Sequence, residues 1–183
     1  PIRLTMMSGA NGFNDLNICP STLLPSNIID DKWHHYAVSI ENVGTNTSIN
    51  LYRDGTYLNT TTNASQIQSI ENVAGGVNAY IGALQHAVSG TTTGAGWGKL
   101  SASLDEFRYW KKKRTTNEIG EFWFTNLGGG TNTREYNTDL GVYFKFNEGI
   151  TTSSSIDQTM LDYSGRISNG VMSGYLASAR STE

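Results

Sequence analysis

The chain has 183 residues, 16 of them acidic and 13 basic, giving a formal charge of −3 and a pI near 5.6. It lacks the basic surplus of a nucleic-acid binder, and no apolar run approaches the ~20 residues of a membrane-spanning helix. Twenty glycines, three prolines and one cysteine, Cys19, suit many turns between short strands with no intrachain disulfide, so the fold must rest on a hydrophobic core.

Residues 1–7 alternate Ile2, Leu4 and Met6 and read as a strand. Residues 8–15 read as a turn, 16–19 as a return strand and 20–30 as a loop. From Trp33 to Ile40, alternation puts His34, Tyr36, Val38 and Ile40 on one face, with Trp33, His35, Ala37 and Ser39 on the other. Asp54-Gly55 then falls between two β-rich runs and supplies the positive φ angles of a tight hairpin. Residues 77–84 read as a strand, 89–98 as a loop presenting Trp97, and 99–111 as the longest strand. Thr115 and Glu118 form a capping box opening one short helix over 116–127, with Ile119, Phe122, Trp123 and Leu127 as its apolar stripe. A polar linker over 128–139 precedes a further strand at 140–147, and the remaining tail carries Asp162-Tyr163-Ser164-Gly165 and Asn169-Gly170. The chain opens on Pro1 with no leader-like run and reads as a piece of a longer, modular polypeptide.

Several of these motifs occur in a telling order: Trp33-His34-His35-Tyr36, Leu51-Tyr52-Arg53-Asp54-Gly55, Tyr80-Ile81-Gly82, Leu104-Asp105-Glu106-Phe107-Arg108-Tyr109-Trp110 and Glu118-Ile119. Together they resemble the laminin-G-like and pentraxin-like members of the concanavalin A-type lectin/glucanase jelly rolls, over about residues 28 to 125. The resemblance implies an all-β antiparallel jelly-roll sandwich with one short helix, occupying residues 1–127. Residues 140–183, with Gly141-Val142-Tyr143-Phe144-Lys145-Phe146-Asn147-Glu148-Gly149, look like the opening of such a domain. They are either the start of a second domain in a tandem array, the preferred reading, or a permuted strand of the first. This tail is also similar to repeated segments in large structural proteins of tailed phages.

These resemblances imply a non-catalytic structural or binding module of a virion or another extracellular surface. Its partners would be surface glycans or neighbouring virion proteins, within a larger multidomain or oligomeric assembly. The alternatives are a calcium-dependent carbohydrate-binding adhesin domain of a bacterial surface and, least, a glycan hydrolase. Hydrolysis needs two carboxylates flanking a cleft, and Asp105 and Glu106 are neighbours that a strand would turn to opposite faces. Relatives of this fold bind calcium near the sheet rim, and such an ion takes six to eight oxygens. Asp162 is the best single candidate, followed by Asp105 and Glu148, although each acid also suits an ordinary turn. Trp97 is the aromatic least expected in a core and hence the candidate sugar platform, whereas Trp33, Trp110 and Trp123 read as packing. His34 and His35, facing opposite ways, cannot jointly chelate an ion and read, with His86, as ordinary packed or surface residues. The basic run 111–114 reads as a solvated strand end, and three Asn-x-Ser/Thr sequons are expected by chance in so Asn- and Thr-rich a chain.

Overall fold

The computed structural model describes residues 2–8, 11–67, 79–83, 100, 102–127, 138–176 and 178. Its strands pair antiparallel and its helices are few and short. The chain divides into two compact units, residues 1–101 with 114–124, and residues 102–113 with 125–183.

In the first unit, β1 (Arg3–Ser8) pairs with β2 (Asn11–Asn17). A strand thus occupies most of the stretch read as a turn. Its polar residues lie on the outer face: Arg3 pairs with Asp15 at 2.7 Å, and the Thr5 hydroxyl donates to Asn14 Oδ1 at 3.0 Å. Phe13, by contrast, points inward and is buried.

The next three strands, β3 (Tyr36–Val43), β4 (Asn46–Arg53) and β5 (Thr56–Asn63), form a meander in sequence order. Gly44 at φ 60 opens the first connection, and Asp54 and Gly55 at φ 49 and 75 form the second, as an Asp-Gly pair predicts. Ile49 and Leu51 of β4 join Phe13, Ile18 and Ile67 in one buried cluster, which Leu4, Met6 and Ile40 also cover. The β1–β2 sheet and the meander therefore pack face to face as a sandwich.

Tyr52, the next residue after Leu51, points to the opposite face. It is buried there, its hydroxyl 3.1 Å from Thr116 Oγ1 of α1 (Thr116–Phe122). The capping box forms as expected: the Thr115 hydroxyl accepts from Glu118 N at 3.2 Å, and Glu118 Oε2 accepts from Thr115 N at 2.7 Å. Thr115→Ala should cost about 1 kcal/mol in denaturant unfolding, while Thr115→Ser should retain the cap. The helix stops at Phe122 rather than 127, and Trp123 packs over Gly55, where a Cβ would strike the indole ring.

Two expected strands are curtailed. Residues 79–83, read as part of a strand, are irregular: Gly82 at φ 78 turns the chain, its carbonyl accepts from Leu100 N at 2.6 Å, and Tyr80 is exposed. The long strand expected over 99–111 is confined, among the described residues, to β6 (Phe107–Trp110), because Glu106 at φ 55 breaks the extended run.

In the second unit, β6 pairs with β7 (Leu140–Phe144), the strand left open between a second domain and the first. Phe146 at φ 53 ends β7 early. On the far side of β7, Phe144 bridges to Asp162 and Tyr163 N donates to Tyr143 O at 2.8 Å. Leu127, expected on the helical stripe, is instead buried here with Leu140 and Tyr143, against Trp110 and Tyr163. A short helix α2 (Ser154–Asp157) and the β8 (Thr159–Met160)–β9 (Gly170–Val171) pair complete the unit.

Candidate functional site

The residues just before β3 meet the β4–β5 turn in a compact charged cluster. The His34 imidazole, whose side chain is 12% exposed, lies between two carboxylates: Nδ1 is 2.8 Å from Asp54 Oδ2 and Nε2 is 3.0 Å from Asp30 Oδ2. Arg53 Nη2 stands 2.7 Å from Nε2 and 3.6 Å from Asp30 Oδ2. Asp54 Oδ1 also accepts from His35 N at 2.9 Å, and Asp54 N donates to His35 O at 2.8 Å, which ties the start of β3 to the turn. The bonds to Asp30 and then Asp54 raise the His34 pKa above its ordinary 6.5, and the bond to His34 lowers the Asp30 carboxyl below 3.8.

The Trp-His-His-Tyr and Arg-Asp-Gly motifs are thus one assembly. Alternation foretold that His34 and His35 separate, and they do: His34 enters the ion cluster while the His35 ring lies 6.2 Å from that of Trp123. His34's partners were not foreseen. No local spacing announced them, because residues 30–34 are not helical and an i,i+4 pair has no special proximity outside a helix.

Trp33 does not pack as expected, being 70% exposed. It precedes the first strand residue, so no sheet face claims it, and the adjacent His34 takes the inward position. Ile29, next to Asp30, is 80% exposed, so two apolar side chains flank the Asp30–His34 contact. Trp97 and His86 lie outside the described residues. Trp110 and Trp123 are partly buried.

The acidic candidates in the second unit are engaged separately. Asp162 Oδ1 accepts from Tyr143 N at 2.9 Å and Ser164 N at 2.8 Å, while Oδ2 accepts from Ser164 Oγ at 2.8 Å and Ser168 N at 3.0 Å. Asp105 Oδ1 accepts from Glu106 N at 2.9 Å, and Glu148 Oε1 from Leu161 N at 2.8 Å. Among the described residues, no three His, Cys, Asp or Glu side chains are grouped to hold a metal. A calcium ion does not fit Asp162, because four donors already point at the lone pairs it would need.

Glu106 has a different use. Its Oε2 accepts from Tyr143 Oη at 2.5 Å and from Arg108 Nη2 at 2.8 Å, and Arg108 Nη2 also donates to Thr125 O at 2.5 Å. Burial, then the bond to Glu106, pushes the Tyr143 pKa up to about 12. The Asp-Glu-x-Arg motif is therefore a structural brace, with the Arg108 guanidinium carbon 5.5 Å from the centre of the Tyr143 ring.

Residues 4–120, from β1 into α1, match a laminin G-type family model of the concanavalin A-like lectin/glucanases superfamily. The chain belongs to this family. Searches of curated proteins and of solved structures found no match. Among the motifs that the family match spans, Trp-His-His-Tyr and Arg-Asp-Gly build the His34 cluster and the Asp-Glu-x-Arg run builds the Glu106 brace. Laminin G-like membership points to a binding module, for carbohydrate or for protein.

Proposed function

We propose that the chain is a non-catalytic module on the outside of a virion or cell, and that it recognises a surface glycan through Trp33. The exposure of Trp33 carries this reading: a large amphipathic ring stands in solvent on a segment pinned by ion pairs. Pyranose faces rich in C–H groups pack on such rings, and a fixed ring loses little entropy on binding.

The His34 cluster favours binding over hydrolysis. A glycosidase general acid needs a raised pKa, whereas the Asp30 carboxyl is lowered. Tyr143, whose pKa is pushed up to about 12, is fully buried. The likeness of the tail to phage structural proteins supports a virion setting.

The test is binding of the purified chain to a panel of cell-surface polysaccharides, with calcium and with chelator. Trp33→Ala should abolish saturable binding while leaving stability within about 0.5 kcal/mol, as for an exposed residue. Binding that survives in Trp33→Ala and is lost in Trp97→Ala would move the platform to the 89–98 loop. Loss of binding in chelator would assign a calcium ion to a ligand set other than Asp162. The second reading, a neighbouring virion protein as partner, is favoured by the 80% exposure of Ile29 and predicts no glycan binding in any condition.

A further inference from the structure

We propose that His34 is a proton-operated latch. With Nε2 protonated, it holds Asp30, and with it residues 29–33, against the β4–β5 turn. With Nε2 deprotonated, its lone pair faces the Asp30 carboxylate and the segment is released. The consequence for ligand rests on Trp33 being the platform, whereas the latch itself rests on the distances.

Nε2 lies 3.2 and 3.0 Å from the two Asp30 oxygens, while Arg53 Nη2 lies 2.7 Å from Nε2 and 3.2 Å from Nδ1 and so stands over the ring face, off the lone-pair axis of either nitrogen. A ring nitrogen carries either a proton or a lone pair in the ring plane, so Nε2 donates to the Asp30 carboxylate when protonated and sets its lone pair against it when not. Nδ1 keeps its proton in both states because it makes the shorter carboxylate bond, 2.8 Å to Asp54 Oδ2, and lies farther than Nε2 from the Arg53 cation. The proton that comes and goes is therefore the one on Nε2.

The charged and titratable groups facing this switch are Asp30 and Lys32 from the preceding segment, Arg53 and Asp54 from β4 and its turn, and Tyr36 from β3, its ring 6.3 Å away. With His34 protonated, Asp30, Asp54, Arg53 and His34 sum to zero charge. Deprotonation leaves one uncompensated negative charge among these four groups, and among the described residues Asp30 retains Lys32 N at 3.2 Å and Arg53 at 3.6 Å. The raised His34 pKa agrees in sign: the stability from the charged form is complete below about 6.5 and is lost as pH rises through the raised value. The Asp54–His35 bonds do not involve the imidazole, so release stops at the start of β3.

Amide hydrogen exchange of the whole chain, corrected for intrinsic base catalysis, tests this between about pH 5 and about pH 9. Protection of residues 29–33 should fall several-fold over that range, with β3 and β4 amides unchanged, and the fall should vanish in His34→Gln. The same loss of pH dependence in Asp30→Asn, read together with NMR titration of the His34 imidazole, guards against a His34→Gln variant that does not fold. Equal protection at both ends of the range in the wild type, or an unchanged fall in His34→Gln, would overturn the latch. If protection responds to pH but no polysaccharide binds, the latch stands and the platform reading fails. If a polysaccharide binds while protection ignores pH, the platform stands and the latch fails.

Discussion

Asp162→Ala should lower the stability of the second unit by about 3–5 kcal/mol, the largest loss expected outside a hydrophobic core. The carboxylate is the hub that joins β7 to the following turn, and its four donors do not suffer equally. Ser168 is exposed, so water replaces its bond, and the Ser164 hydroxyl keeps the carbonyl of Gly141 at 3.2 Å. The amides of Tyr143 and Ser164 belong to buried residues and have no such substitute. Burial alone would raise the Asp162 carboxyl, but the Ser164, Tyr143 and Ser168 donors outweigh it and hold the pKa below 3.8. Its stabilisation is therefore present above the ordinary carboxyl value and is lost as pH falls through the lowered one. Wild-type exchange protection in β6 and β7 should drop on acidification, and Asp162→Asn should be weaker at neutral pH and less sensitive to acid. A loss below about 1 kcal/mol would show that the turn re-forms around other acceptors.

What could be read from the sequence was what short-range chemistry determines. Asp54-Gly55 announced a hairpin because two positive φ angles are needed there, and Thr115 with Glu118 announced a helix start because the two side chains satisfy each other's backbone N–H groups. The family match over 4–120 agrees with the ordered motifs that suggested the fold. Failures came where the decisive partner is distant or the backbone unusual. Residues 11–15 look like a turn until β1 pairs with them and Phe13 is hidden. Glu106 and Phe146 adopt positive φ without being glycine, so strands expected to run through them stop. The cluster shows the same limit: alternation placed His34 and His35 on opposite faces, but only the meander brings Asp54 and Arg53 to His34. Trp33 was assigned to packing by extending the strand period three residues before its true start at Tyr36.

Leu51→Ala should cost the first unit about 2–5 kcal/mol, and its position on β4 decides where in that range it falls. Leu51 is 1% exposed, on the central strand of the meander, and it meets β1–β2 residues that are themselves tethered by an antiparallel ladder. Neither sheet can collapse into the void without breaking ladder hydrogen bonds, which favours the upper half of the range. Val43, near the end of β3 and 55% exposed, is the internal control, where alanine should change stability by less than about 0.5 kcal/mol. The readout is hydrogen exchange at β3 to β5, because a chain of two compact units need not unfold in one step and a single midpoint could miss the effect. Protection in β6 and β7 should change far less than in β3 to β5. Equal loss in both units would mean that they unfold as one, and the cost assigned to Leu51 would then belong to the whole chain.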